Sequence, residues 1–180
     1  MEDFNPLNEK HIQISNAGLC LLTPWLNRLF DMLDYLNEEK TFVNTEAQIH
    51  AVFLLQYFVY GDDREYLETE LSFNRLLVGL PWHVPLPKQM PFSRRETDVV
   101  DSLLMAVKNQ WPQMKDKSSV KGFMESFVAR SGTLEQQEEQ WLLVVDAKAY
   151  DMLLDTVPWS FRWIQLPWME KRISVAWRNG

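Results

Sequence analysis

Apolar positions recur at helical spacing along most of the chain and at strand spacing near its carboxyl end. After Asn16-Ala17-Gly18, the residues Leu19, Leu22, Leu26, Leu29, Phe30 and Leu33 follow in three- and four-residue steps. This predicts a helix near 17–36 with one apolar face, ended or kinked in its first turn by Pro24. Thr45 is placed to cap a second helix near 45–60, whose body from Ala51 to Phe58 is apolar nearly all round. Such a helix belongs at the centre of a core, and Gly61 supplies its stop. A third helix near 68–80 turns Leu71, Leu76, Leu77 and Leu80 inward and is closed by Gly79 and Pro81. Pro81, Pro85, Pro87 and Pro91 then make an extended connector, since proline removes the backbone donor a helix needs. Helices near 95–110 and 118–131 follow. The first carries Val99, Leu103, Leu104 and Val107 and ends at Trp111-Pro112; the second carries Phe123, Phe127 and Val128 and ends at Gly132.

The period then changes. Trp141 to Val145 is a short apolar run with β-branched residues, read as a buried strand. Ala149 to Asp155 reads as a short helix stopped by Pro158. Phe161, Trp163 and Leu166, and then Ile173, Val175 and Trp177, fall near period two on either side of Pro167-Trp168-Met169. His11 to Ile14 alternates as a short strand. The expected class is α+β, with five or so helices followed by a small C-terminal antiparallel sheet. Residues 1–10 are expected to form a flexible arm. Residues 11–180 are expected to form one α+β domain, helical over 11–135 and strand-rich over 136–180.

Composition narrows the partners. The chain has 180 residues, 46% of them apolar and 13% aromatic, so it can bury a core and is not disordered as a whole. Eighteen basic against 25 acidic side chains leave a net charge of −7. A surface that neutralises phosphates usually has the opposite sign, so nucleic acid and anionic lipid are excluded as expected partners. One cysteine, Cys20, rules out a disulfide framework and a thiolate metal site, and in its apolar setting it reads as a small hydrophobe. The acidic start is unlike a secretory signal. The apolar run from Ala51 to Tyr60 is about half of the ~20 residues needed to span a bilayer. Synthesis in the cytoplasm without membrane insertion is therefore expected.

Candidate chemistry is sparse. His11, His50 and His83 are far apart, and none has a second histidine at a metal-binding step. Asp146, Asp151 and Asp155 are close in sequence and could bind a cation or work as acid and base, but no glycine-spaced loop or neighbouring histidine supports that. Charges flanking a buried Leu153-Leu154 explain them as well. Glu135, Glu138 and Glu139 read as the acidic rim of a loop. Phosphate-cradling and nucleophile-elbow patterns are missing, so no catalytic residue, metal ligand or cofactor is expected.

The tryptophans are the least ordinary feature. Leu80-Pro81-Trp82, Val157-Pro158-Trp159 and Leu166-Pro167-Trp168 repeat one form, in which proline stiffens the backbone that aims an indole. Trp159 to Trp177 holds four indoles in nineteen residues. Two readings stay open: the indoles plug the sheet onto the helices, or some of them anchor another subunit. On the second reading the partner-binding residues are Trp82, Trp159, Trp163, Trp168, Met169 and Trp177.

An ordered set of segments adds a family resemblance. These are Asn16-Ala17-Gly18-Leu19 with Leu22 and Pro24; Leu54-Leu55-Gln56-Tyr57 with Gly61; and Glu70-Leu71 with Asn74 to Leu80. Trp111, Phe123 to Phe127 with Arg130-Ser131-Gly132, Trp141, Tyr150 to Leu154 with Pro158-Trp159, Leu166 to Met169, and Trp177 complete it. Together they resemble the conserved domain of contractile injection system tape measure proteins, which belong to phage-tail-like machines that drive a tube into a target. Cys20 and Trp82-His83 depart from the family pattern. The resemblance implies a non-enzymatic assembly protein acting in tube length control, initiation, plugging or capping. Its implied partners are tube, baseplate or cap subunits and further copies of itself, and its implied destination is a particle that can be released. A fully helical chain of this length would reach only ~270 Å, and its prolines and strands forbid even that, so a cap, plug or anchor is expected rather than a ruler. An unrelated adaptor or immunity-like binding protein is the alternative, with a small carboxylate-based hydrolase last.

Overall fold

The computed structural model describes residues 10–62 and 64–178. Strand β1 (His11–Ile14) leads through Asn16 into a 3-10 segment at Ala17–Trp25, followed by α1 (Leu26–Met32). Pro24 separates the two, because it cannot donate to an α-helical ladder. The expected single helix over 17–36 is thus a tight buried 3-10 run and a short α-helix. Asn44 rather than Thr45 caps α2 (Thr45–Tyr60), its side chain accepting from the Ala47 N–H at 2.8 Å, and Gly61 closes it in the left-handed conformation. A 3-10 turn at Glu68–Leu71 precedes α3 (Ser72–Val78). Ser93 and Glu96 form a capping box at the start of α4 (Arg94–Gln110). Two single turns, α5 (Pro112–Lys115) and α6 (Val120–Phe123), pass into a π turn at Met124–Val128.

Gly132 does not stop a helix. It opens β2 (Gly132–Gln136), so Glu135 sits in a strand rather than on a loop rim. Strand β3 (Gln140–Val145) follows, then a 3-10 segment at Asp151–Thr156, β4 (Trp163–Ile164) and β5 (Arg172–Ala176). The run from Phe161 to Leu166 yields only this two-residue β4. The five strands lie in the order β1-β2-β3-β5-β4. All pairs are antiparallel except β3 with β5. The molecule is therefore α+β with a mostly antiparallel sheet, and β1 and β2 come from the part read as helical. The expected arm over residues 1–10 lies, apart from Lys10, outside the described residues.

The sheet packs on the helical layer through one face. Ile12, Leu134, Leu143 and Val175 form one buried row across it, and Trp141, Ile173 and Ile164 another. Under that face lies the 3-10 segment 17–25, with Leu19, Cys20 and Leu21 fully buried. It comes so close because Gly18 has no side chain: a Cβ there would lie 1.8 Å from the Phe127 carbonyl oxygen. At the centre, Asn16, Gln56 and Asn74 form a buried amide cluster. Asn16 Nδ2 donates to Gln56 Oε1 at 3.0 Å and to Asn74 Oδ1 at 2.7 Å. Asn74 Nδ2 donates to Gln56 Oε1 at 3.0 Å and to the Val52 carbonyl at 2.9 Å. These bonds tie the first buried segment to α2 and α3 and satisfy most of the buried amide groups, as burial requires, with Asn16 Oδ1 left unpartnered among the described residues. Among the described residues, no helix is long and apolar enough to cross a membrane.

Gly18→Ala must push two backbone segments apart, so it is expected to cost at least about 3 kcal/mol, at or above the top of the overpacking range. Urea unfolding followed by far-ultraviolet circular dichroism measures it.

Candidate docking face and internal anchors

Arg130 organises the interior. Its Nη1 and Nη2 each donate to one carboxylate oxygen of Asp151 at 2.8 Å, and both residues are buried. Nη1 also donates to the Asp146 carbonyl at 2.9 Å, and Nη2 to the Ser126 carbonyl at 2.8 Å. Asp151 accepts further from Trp177 Nε1 at 3.1 Å and from the Lys148 N–H at 2.9 Å. Burial pushes the Asp151 carboxyl up, but the bonds from Arg130, Lys148 and Trp177 together hold it below its ordinary value. A charge at this depth is stable only with a bidentate partner and its remaining lone pairs satisfied, and both conditions hold.

This arrangement answers the question raised by the three aspartates. Asp151 is consumed in the ion pair. Asp155 is at the surface, bonded to Arg178 at 3.0 Å and 3.1 Å. Asp146 is exposed and offers its backbone, not its carboxylate, to Arg130. The three carboxylates converge on no common point.

A shallow groove of about 350 Å³ opens between the first turns of α2 and α4, lined in part by Tyr35, Glu46, His50, Arg95 and Glu96. Its central carboxylate, Glu96, accepts from the Tyr35 hydroxyl and from the Ser93 N–H at 2.9 Å, and lies 3.8 Å from His50 Nε2. Burial raises the Glu96 carboxyl, yet the bonds from Tyr35 and Ser93 bring it below its ordinary value. It is a helix cap held ionised, which suits it to structure rather than proton transfer.

The six tryptophan and methionine candidates separate by burial. Trp177 is in the core on Asp151, and Met169 is buried behind the Leu166 turn. Trp168 is half-buried against Phe30 and Phe42, and its Nε1 donates to the Leu77 carbonyl at 2.7 Å. Its own carbonyl rests on Gly79, where a Cβ would come within 2.4 Å and where φ is +68°. Trp159 is half-buried edge-on to Trp25, and its Nε1 donates to the Leu21 carbonyl at 3.0 Å. Trp82 is half-buried near Trp141 and under Arg75, whose guanidinium donates to the Pro81 and Val84 carbonyls and so fixes the proline connector. Trp163 alone of the six presents an exposed ring, at 52%.

Trp163 stands on the outer face of the sheet, the side away from the helices. Register places Trp163, Ser174, Leu142, Glu135 and His11 in one outward row, and Ala176, Val144, Thr133 and Gln13 in the next. Arg172 lies 4.5 Å above the Trp163 ring, and its Nε donates to Gln140 Oε1 at 3.2 Å. Val144 is 40% exposed, Ala176 beside it is exposed and Leu142 is half-buried, while Ser174 separates these residues from Trp163. The remaining exposed apolar side chains, such as Leu67 and Met105, belong to other elements of the fold.

Sequence reasoning found the indoles but missed Arg130, the amide cluster and the outward half of β3. The segments quoted for the family resemblance contained Asn16, Gln56, Asn74, Arg130 and Asp151; only their convergence was invisible.

Asp151 is held in an ion pair, Glu96 caps a helix, and the outer sheet face leaves Trp163, Val144 and Ala176 exposed among polar neighbours. The family model for contractile injection system tape measure proteins matches residues 2–177. The chain belongs to that family, whose members are structural components of contractile injection systems. No curated protein and no solved structure matches it.

Asp151→Asn leaves Arg130 buried without its counter-charge and is expected to cost about 3–5 kcal/mol at neutral pH. The depressed carboxyl pKa means that the pair's contribution is complete above the ordinary value of 3.8 and is lost as pH falls through the lower folded value. Denaturant melts between neutrality and strong acid should therefore show a loss below about pH 4 that the variant lacks. Trp168→Ala is expected to lower stability by about 3 kcal/mol, and Trp163→Ala by less than about 0.5 kcal/mol, a contrast that thermal melts resolve.

Proposed function

We propose that this chain serves a contractile injection particle as a docked, non-catalytic body that caps, plugs or anchors the tube, and that the outer sheet face around Trp163 is its docking surface. The exposed ring of Trp163, together with exposed Val144 and Ala176 and half-buried Leu142 on the same face, carries this reading, because clustered exposed apolar side chains mark interfaces. The tape measure family supplies the setting. A compact shape argues against an extended ruler. The longest helix, α4, has 17 residues and so a length of about 25 Å. The accessible surface of 9554 Å² is close to the roughly 9,100 Å² of a folded monomer of this mass. Of the six residues first considered, Trp163 is the one open to a partner directly. Trp82, Trp159 and Trp168 offer only their partly exposed rims, and Met169 and Trp177 act by holding the tail in place.

Mass spectrometry of purified particles carrying Trp163→Glu tests the proposal. The variant chain should fold, since the ring is exposed, but its abundance in particles should fall at least about tenfold relative to wild type. Wild-type abundance would overturn the reading, as would a catalytic turnover abolished by removing one acidic side chain.

A further inference from the structure

We infer that the outer face of the sheet takes a second copy of this chain, packed sheet to sheet about a two-fold axis running along β3. The inference rests on the docking reading of that face and names its occupant.

Strand β3 is apolar on both sides: Trp141, Leu143 and Val145 point inward, while Leu142 and Val144 point outward. Strands of that composition are found where both faces are covered, and the helices cover only one. The strand order puts β3 in the middle, with β2 and β1 on one side and β5 and β4 on the other. A two-fold axis along β3 therefore lays Leu142 and Val144 on their own counterparts. The outward residues next to them on β5 are Ser174 and Ala176, small enough to leave room for the other chain's Glu135 and Thr133, which the axis sets opposite them. Sheets packed this way stand about 10 Å apart.

Charge selects a copy over an unrelated partner. On the β5 side, Arg172 sits on Trp163 and has no carboxylate partner among the described residues. On the β2 side is Glu135, 4.0 Å from His11. The axis exchanges the two sides, so each Arg172 comes over the other chain's β2. Arg172 is level with Gln140 and Glu135 with Leu142, an offset of two residues or about 6.6 Å, which an arginine side chain spans. One face thus carries both halves of an isologous contact, as a symmetric dimer requires. The face is small: strands of 4, 5, 6, 2 and 5 residues, each residue covering about 4.8 by 3.3 Å, give a flat footprint of roughly 350 Å² per copy. The total of roughly 700 Å² lies below the ~1,200 Å² of stable specific interfaces, so the dimer is a weak one with a Kd of tens of micromolar order, forming when copies are held close together.

Sedimentation velocity of the full chain from about 1 to about 100 µM is the direct test, and the mass should rise from 21.3 kDa toward twice that value. Arg172→Glu and Glu135→Arg should each weaken association at least about tenfold, and the two together in one chain should restore it to within about threefold. Val144→Cys should be joined to its mate by a short bis-maleimide linker, because the axis sets the two side chains against each other across a gap too wide for a disulfide. Met105→Cys, exposed on α4, should not, and buried Cys20 should stay unreacted. Circular dichroism melts confirm that each variant is folded. A monomer at every concentration, charge reversals without effect, or equal cross-linking at Met105→Cys would overturn the inference. A monomeric chain whose Trp163→Glu variant is lost from particles rejects the second copy and keeps the docking reading. A dimer whose Trp163→Glu variant enters particles normally supports the second copy and rejects that reading.

Discussion

Burying the Arg130 guanidinium is the constraint on which the rest of this structure depends. A permanent cation in the core is tolerable only if acceptors surround it, and the acceptors come from distant parts of the chain. Ser126 supplies a carbonyl from the π turn, Asp146 one from the end of β3, and Asp151 a carboxylate from the following 3-10 segment. Through Asp151 the arrangement reaches Trp177 beside the end of β5, and through its own carbonyl Arg130 receives the Ala17 N–H. The rings of Phe127, Tyr150 and Trp177 stand within 6 Å of the guanidinium carbon and limit its access to water. One side chain thus sets where the helical layer ends, where the sheet begins and where the tail returns.

The proline-tryptophan pairs do related work further out. Between β3 and β5 the chain must cross over, because the two strands run parallel. That crossing has only a short 3-10 segment and a two-residue strand of its own. Trp159 and Trp168 pin it by donating to carbonyls of the buried 3-10 segment and of α3. Each indole adds apolar area to a hydrogen bond, so a stretch with little regular structure acquires a defined path. Tryptophan abundance in this tail is therefore mostly a response to an irregular connection. It leaves Trp163, which makes no such bond among the described residues, as the informative exception.

The anchors and the open face are connected. The interior charges and amides bond largely to one another, with Asn16 Oδ1 and Arg130 Nε left buried without a hydrogen-bond partner among the described residues. Because the tail is pinned, β5 and β4 lie flat beside β3 and extend its outward apolar residues into a surface. The same packing buries these polar groups and leaves the outer face of the sheet open, in a chain that belongs to the tape measure family.

Much of the fold was legible in the sequence. The helical period of α2 and α4, the Gly61 stop, the β3 run and the α+β class all come from local patterns that tertiary contacts reinforced. Where reading failed, the cause was non-local. Gly132 looks like a helix stop, but pairing with Val145 on one side and Ile14 on the other makes it a strand residue. Asp151 looks like one of three surface carboxylates until Arg130, 21 residues away in sequence, claims it. The indoles all look alike because a sequence shows a ring but not the carbonyl its N–H will reach. What the sequence determined by itself was the supply of apolar faces, caps and stops, since these act over a few residues. Only the tertiary structure decided which polar groups would be buried together and which apolar face would be left open, because both depend on how distant segments meet.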